Sequence, residues 1–214
     1  IVVNGKSFKT DVLVLAAGHS AKDTFNMLYE RKVNIISKPF AIGIRIVHSQ
    51  NLINKCQYPT LYPNLPSASY KLTHNASGRG IYSFCMCPGG FVVNASSDNN
   101  TVLINGMSNY LRDSGFANSA IIVTVNENDF GHNPLDGLKY MENIEKRTFE
   151  LTKGKIPIQR FKDYEKNIVS SNILDIQKFV KGSTKYININ DIFPEYINSS
   201  LKEGINYFNS LIPG

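Results

Sequence analysis

The chain has 214 residues, 42% of them hydrophobic, and a formal net charge of +6 from 23 Lys and Arg against 17 Asp and Glu. That is enough apolar material for one large domain or two small ones, and no apolar run approaches the roughly 20 residues of a membrane-spanning helix. The basic residues are scattered, which reads as solvated surface and not as the dense footprint of a nucleic-acid binder. Three cysteines, Cys56, Cys85 and Cys87, are too few for a disulfide framework, so a reducing, cytoplasmic compartment is expected. No membrane or nucleic-acid partner is expected.

The chain opens at Ile1 in a strand-like run and closes at Pro213-Gly214 after an amphipathic segment. It reads as a piece of a longer polypeptide. Residues 11–17, Asp-Val-Leu-Val-Leu-Ala-Ala, predict a strand buried on both faces. Gly18 ends it, and Ser20 is placed to cap a helix, with Asp23 three residues on. Ala21, Phe25 and Leu28 share one face of that helix, which fades near Lys32.

Residues 42–48 alternate, with Ile42, Ile44 and Ile46 on one face of a strand and Gly43 and Arg45 on the other. Short strands are predicted at 69–73, 80–86, 91–95, 101–105 and 120–125, with turns rich in Gly, Asn and Pro between them. That spacing predicts an antiparallel sheet or a small barrel. Beyond residue 130 the pattern is helical. Asn133 and Pro134 open a helix lined by Leu135, Leu138, Met141 and Ile144. A shorter helix is expected at 172–180. A last one follows Pro194, with Ile197, Leu201, Ile205 and Phe208 at helical spacing. The fold class is therefore α+β: a β-rich middle, a helical C-terminal part and a short α/β remnant at the N-terminus. The expected boundaries are 1–36, 37–130 and 131–214.

The most informative stretch is Tyr82-Ser83-Phe84-Cys85-Met86-Cys87-Pro88-Gly89-Gly90. Two thiols one residue apart end an apolar run beside a turn whose backbone can approach a ligand closely. Such thiols suit redox chemistry, or they pack as small hydrophobes at a strand end. Zinc would want four ligands, usually in Cys-x-x-Cys pairs, and neither Cys56 nor His48 nor His74 completes such a set, so no metal is expected. Arg45, Arg79 and Arg112 are candidates for bidentate recognition of an anion, or else ordinary structural cations. No Ser-His-Asp or Cys-His-Asn arrangement supports hydrolysis.

Taken in order, Gly18-His19-Ser20-Ala21-Lys22-Asp23-Thr24-Phe25, Lys38-Pro39-Phe40-Ala41-Ile42-Gly43, Gly78-Arg79-Gly80 through Cys85-Met86-Cys87-Pro88-Gly89-Gly90, Asn105-Gly106-Met107-Ser108, Arg112-Asp113 and Ala117-Asn118-Ser119-Ala120 resemble the large bacterial FAD-dependent dehydrogenases. The resemblance implies an FAD-binding domain interrupted by a long insertion. Residues 1–36 would be a remnant of the FAD domain and the rest the insertion that faces a small-molecule substrate. Gly18, His19 and Ser20 would lie near the flavin. Cys85 and Cys87 would be the candidate catalytic residues, and Arg45, Arg79 and Arg112 would bind an anionic substrate. Lys22 stands where the family pattern suggests Arg. No Gly-x-Gly-x-x-Gly loop occurs in the chain, so FAD is expected as the cofactor of a full-length parent and not as a tight ligand of these residues alone. The alternative is a non-enzymatic interaction module, for subunit contact or RNA.

Overall fold

Asn4 and Gly5, at φ 49° and 76°, make the tight turn that a two-residue hairpin demands. It joins β1 (Val2–Val3) to β2 (Lys6–Ser7) in antiparallel pairing. The computed structural model describes residues 1–58 and 65–214, and its contacts divide the chain into Ile1–Ile35 and Ile36–Gly214. The first unit also holds α1 (Lys22–Glu30). Ala21, not Ser20, occupies the N-cap position, and no side chain caps it. The strand expected at 11–17 is absent. Val12, Leu13, Val14 and Leu15 adopt no regular secondary structure and are exposed, at 75%, 63%, 81% and 51%. A strand apolar on both faces is stable only inside a sheet covered on both sides, and the described residues of this unit supply no such sheet.

The second unit is built on β3 (Phe40–Ser49) and β8 (Phe116–Val125), paired antiparallel over ten positions from Phe40↔Val125 to Ser49↔Phe116. β3 runs into α2 (Gln50–Gln57), capped by the Ser49 hydroxyl. β4 (Thr73–Ala76) and β5 (Arg79–Cys87) complete a four-stranded antiparallel sheet in the order β3-β8-β5-β4. β6 (Gly90–Asn94) and β7 (Ile104–Ser108) form a second sheet. Then come α3 (Glu127–Phe130), α4 (Asp136–Thr152), β9 (Ile156–Ile158) and α5 (Phe161–Glu165). β10 (Val180–Lys181) pairs parallel with β6, β11 (Thr184–Tyr186) pairs parallel with β9, and α6 (Glu195–Leu211) closes the fold. The class is α+β with antiparallel sheets, as the turn spacing predicts.

Further differences from expectation lie before β4, before β7 and at 172–180. Residues 69–72 are not a strand. Ala68 and Tyr70 are buried, and Leu72 exchanges hydrogen bonds with Ser83 through the Ser83 hydroxyl and backbone. The strand expected at 101–105 starts at Ile104, because the Val102 N–H goes to the Glu145 carbonyl instead. The helix expected at 172–180 is one 3-10 turn, Ile176–Lys178, followed by the edge strand β10. Ile176, Phe179 and Val180 still bury together against Val92 and Ile156. An apolar i, i+3, i+4 spacing fits a single turn as well as a helix. In α4 the buried side chains are Glu145, Thr148 and Thr152. The two threonine hydroxyls bond back to the carbonyls of Ile144 and Thr148, which lets polar residues continue an apolar seam.

The main core lies between one face of the first sheet and α6. Ile81, Ile121, Val123 and Val125 meet Ile197, Leu201, Ile205 and Phe208. At about 2 kcal/mol per buried aliphatic or aromatic side chain, the four helix residues contribute roughly 8 kcal/mol before entropy. The helix approaches the sheet at Gly204, where a Cβ would lie 2.7 Å from Ile81 Cγ2 and 2.9 Å from Ile81 Cδ1. Ile81 is fully buried and has nowhere to move. Gly204→Ala gains about 1 kcal/mol of helix propensity against an overpacking cost of about 1–3 kcal/mol. Urea unfolding of this variant is expected to show a net loss near 1 kcal/mol, and adding Ile81→Val should recover most of it.

Candidate functional site

β5 is irregular where the thiols sit. Its pairing with β8 shifts register between Phe84 and Cys87, and Cys85 adopts φ 44°, a conformation that a residue with a Cβ rarely holds without a local reason. The bulge turns the Cys85 carbonyl toward β3. There Arg45 Nη1 donates to it at 3.2 Å and to Asn118 Oδ1 at 2.6 Å, while Nη2 donates to Asn105 Oδ1 at 3.3 Å. Cys87 Sγ lies 3.9 Å from Arg45 Nη1, and its thiol donates to the Cys85 carbonyl at 3.3 Å. Gly106 leaves room for this packing, since a Cβ there would fall 2.2 Å from Arg45 Nη1 and 2.4 Å from Asn118 Oδ1.

The electrostatics of this cluster are unbalanced. Among the described residues Arg45 has only neutral hydrogen-bond partners. Burial pulls its guanidinium below the ordinary value, and the nearby Cys87 offsets part of that. Asn118 is completely buried. Its amide orientation is settled by Arg45, which can only donate. Asn118 Nδ2 is thereby left as a buried donor without a hydrogen-bond partner. A cation without a carboxylate and an amide N–H without an acceptor meet at one place, which favours an acceptor-rich or anionic guest. Arg45 also lines a cavity of about 380 Å³ with the apolar side chains of Ile104, Phe116 and Phe179.

The neighbouring turn is held from below. Gly89, at φ 51°, donates its N–H to Gln50 Oε1 at 2.8 Å. A Cβ on Gly89 would lie 1.7 Å from the Arg112 carbonyl. Gln50 is buried and bonds onward to Asn54 and the Ala68 carbonyl. Arg112 meets the turn through its backbone, whose carbonyl accepts from the Ser67 hydroxyl, while the residue itself is exposed. Phe84, Met107, Tyr110 and Leu111 are 57%, 58%, 97% and 72% exposed around these thiols.

Arg79 is elsewhere. It lies six residues before Cys85 on β5, about 20 Å along the strand. Its guanidinium is paired with both Asp129 oxygens at 2.8 and 2.6 Å and stacks over Tyr196 at 4.5 Å. Asp129 in turn completes the capping box of α3. Thus Arg45, Cys85 and Cys87 come together, with Arg112 touching the adjoining turn by its backbone, and Arg79 does not join them. Gly18 and His19 are exposed and Ser20 is half-buried in the first unit. A Cβ on Gly18 would meet nothing within 4 Å, so this open turn makes no enclosed cradle by itself. Among them no group of three or more His, Cys, Asp or Glu side chains is placed to hold a metal, and no helix is long and apolar enough to cross a membrane.

Asn105, Gly106 and Asn118 escape functional reading from sequence, although Asn105-Gly106 and Asn118 fall inside two of the resemblance motifs. An asparagine within each of the two strands, Asn105 in β7 and Asn118 in β8, was the available signal.

Comparison with known proteins bears on the whole unit. Residues 39–214 match the family model described as FAD-dependent protein, C-terminal domain-like. An uncharacterized protein of Clostridium beijerinckii (strain ATCC 51743 / NCIMB 8052) is 42% identical over 221 residues, covering 100% of this chain and 42% of that relative. The chain therefore spans less than half the length of the curated relative it matches.

The two arginines should respond oppositely to removal. Arg79→Met strands a carboxylate whose side chain is only 6% exposed and is expected to cost about 2–3 kcal/mol. Arg45→Met relieves an uncompensated cation while leaving Asn118 unpaired, and the two effects should cancel to within about 1 kcal/mol. Urea denaturation of both variants tests this. The hydrogen bonds from Arg79 hold the Asp129 carboxyl below its usual value of 3.8. The pair's stabilisation is therefore complete above that pH and is lost as pH falls below it. Arg79→Met should flatten that part of the acid-unfolding profile.

Proposed function

The chain belongs to the family of FAD-dependent proteins with this C-terminal-domain-like fold, and from that premise we propose that residues 37–214 are the substrate-facing cap domain of an FAD-dependent oxidoreductase. In this reading residues 1–36 end a segment of the FAD-binding domain, and the remaining FAD-binding domain of the same protein is the principal partner. A flavin held there supplies the electron or hydride transfer. This chain's own residues bind and orient the other reactant, a small molecule of unknown identity.

The observation that carries this reading is the convergence of Arg45, Asn118 Nδ2 and the Cys85–Cys87 bulge. Arg45 and Asn118 hold an anionic or carbonyl oxygen of the substrate. Arg79, committed to Asp129, stabilises the fold instead, and Arg112 shapes the turn. Cys85 and Cys87 face the substrate or the isoalloxazine. The exposed Phe84, Met107, Tyr110 and Leu111 beside them supply an apolar surface of the kind that docks against another protein surface, here the FAD-binding part. Gly18, His19 and Ser20 contribute the open turn next to the flavin.

Alkylation with iodoacetamide, read residue by residue by mass spectrometry, tests the docking. Cys85 and Cys56 are both exposed. Cys85 should react at least tenfold more slowly in the FAD-loaded whole protein than in the 214-residue chain, with Cys56 unchanged as the internal standard. Equal rates at Cys85 would remove the proposed placement. The chain alone, mixed with FAD and passed over a desalting column, should emerge colourless.

A further inference from the structure

β3 presents His48 on the face opposite Arg45, where the sheet, α2, α5 and α6 line a second, larger and partly open cavity of about 600 Å³. That volume is in the range of small-molecule sites. Its walls are aliphatic and aromatic, among them Ile46, Leu52, Leu72, Ile205 and Phe208. The floor carries one polar pair: His48 Nε2 and the Tyr70 hydroxyl are 2.9 Å apart, and Ile53 and Tyr70 are 1% and 9% exposed. Burial lowers the His48 pKa, partly offset by the Ser49 backbone, and raises that of Tyr70 to about 12. At neutral pH the pair is therefore an uncharged imidazole and a protonated phenol. His48 Nδ1 is buried without a hydrogen-bond partner.

The mouth is charged. Arg160, Lys162 and Glu165 line it and are all exposed. Glu165 accepts a hydrogen bond from Asn206 Nδ2 at 2.7 Å. No carboxylate pairs with Arg160 or Lys162 among the described residues. The cavity thus runs from a net positive rim, through apolar walls, to a neutral polar floor.

We propose that this cavity binds an organic carboxylate with a long apolar body, its carboxylate at Arg160 and Lys162 and its body along the aliphatic walls toward the His48–Tyr70 pair. The rim cations select the charge, and the apolar walls supply the affinity. A neutral floor excludes a second anionic group at the far end, because an ion there would be desolvated without a partner. Ile46, Val47, His48, Arg160 and Phe161 line both this cavity and the one at Arg45, so the two adjoin along β3, but the proposal uses neither the thiol bulge nor the Arg45 contacts and does not rest on the flavin reading.

The test is calorimetric titration of the protein with decanoate and with 1-decanol, each kept below its aggregation concentration. Decanoate should bind at least tenfold more tightly than the alcohol. The double variant Arg160→Ala/Lys162→Ala, changed only at exposed positions, should erase that preference while keeping the alcohol's affinity. Leu52→Trp, its fold checked by thermal unfolding, should weaken both ligands at least tenfold. Decanedioate should bind at least tenfold more weakly than decanoate. Absence of decanoate binding, equal binding of acid and alcohol, a preference surviving in the double variant, or undiminished binding in a folded Leu52→Trp protein each overturns the proposal.

Discussion

A β-strand has two faces, and the ten-position register between β3 and β8 decides what each face can do. In that register Ile42, Ile44, Ile46 and His48 point with Ala117, Ser119, Ile121 and Val123 toward α6. Gly43, Arg45 and Val47 point with Asn118 and Ala120 the other way. A slip by one residue would exchange the two sets and place a guanidinium in the main core. The strands also come unusually close at Gly43, where a Cβ would lie 2.0 Å from the Ile121 carbonyl. The same pairing therefore builds the core, delivers Arg45 to the thiol bulge and delivers His48 to the large cavity.

Arg45 and Arg79 show how differently one residue type behaves under different pairing. Arg79 meets a carboxylate in bidentate geometry and an aromatic ring beneath it, and its charge is fully answered inside the fold. Arg45 is wrapped by amide oxygens, a carbonyl and a thiol, so its hydrogen bonds are met while its charge is not. Desolvating such a cation is costly. A fold that retains one beside a buried, unpartnered amide nitrogen has a site suited to an incoming anion.

Elsewhere among the described residues, the buried polar side chains that tie elements together are hydrogen-bonded. Asn198 accepts from the Tyr164 hydroxyl and donates to the carbonyls of Asn190 and Phe193. Gln50 links α2, the Pro88-Gly89 turn and Ala68. Against that background Asn118 Nδ2 and His48 Nδ1 stand out, since leaving a buried donor or acceptor unmet costs about 1–3 kcal/mol. The two lie on opposite faces of the same sheet: His48 lines the large cavity, and Asn118 packs against Arg45, which lines the smaller one.

The alternation of residues 42–48, the apolar seam of the last helix and the turn chemistry around Pro88-Gly89-Gly90 were legible in the chain, because each is set by neighbours within a few residues. The ordered motifs also suggested an FAD-dependent family, and residues 39–214 match one. By contrast, the run at 11–17 reads as a buried strand, yet strand formation needs pairing partners and the described residues of its unit offer none. The seam at 176–180 satisfies a helix and a 3-10 turn equally, and pairing with β6 chose between them. Which arginine has a counter-charge and which has only neutral partners could not be read locally, since Asp129 is 50 residues from Arg79 and Asn118 is 73 from Arg45. Periodicity and turn residues are local properties and were settled by the amino-acid order. Counter-charges, cavities and unpartnered atoms arise from contacts between distant segments, and only the tertiary structure decided them.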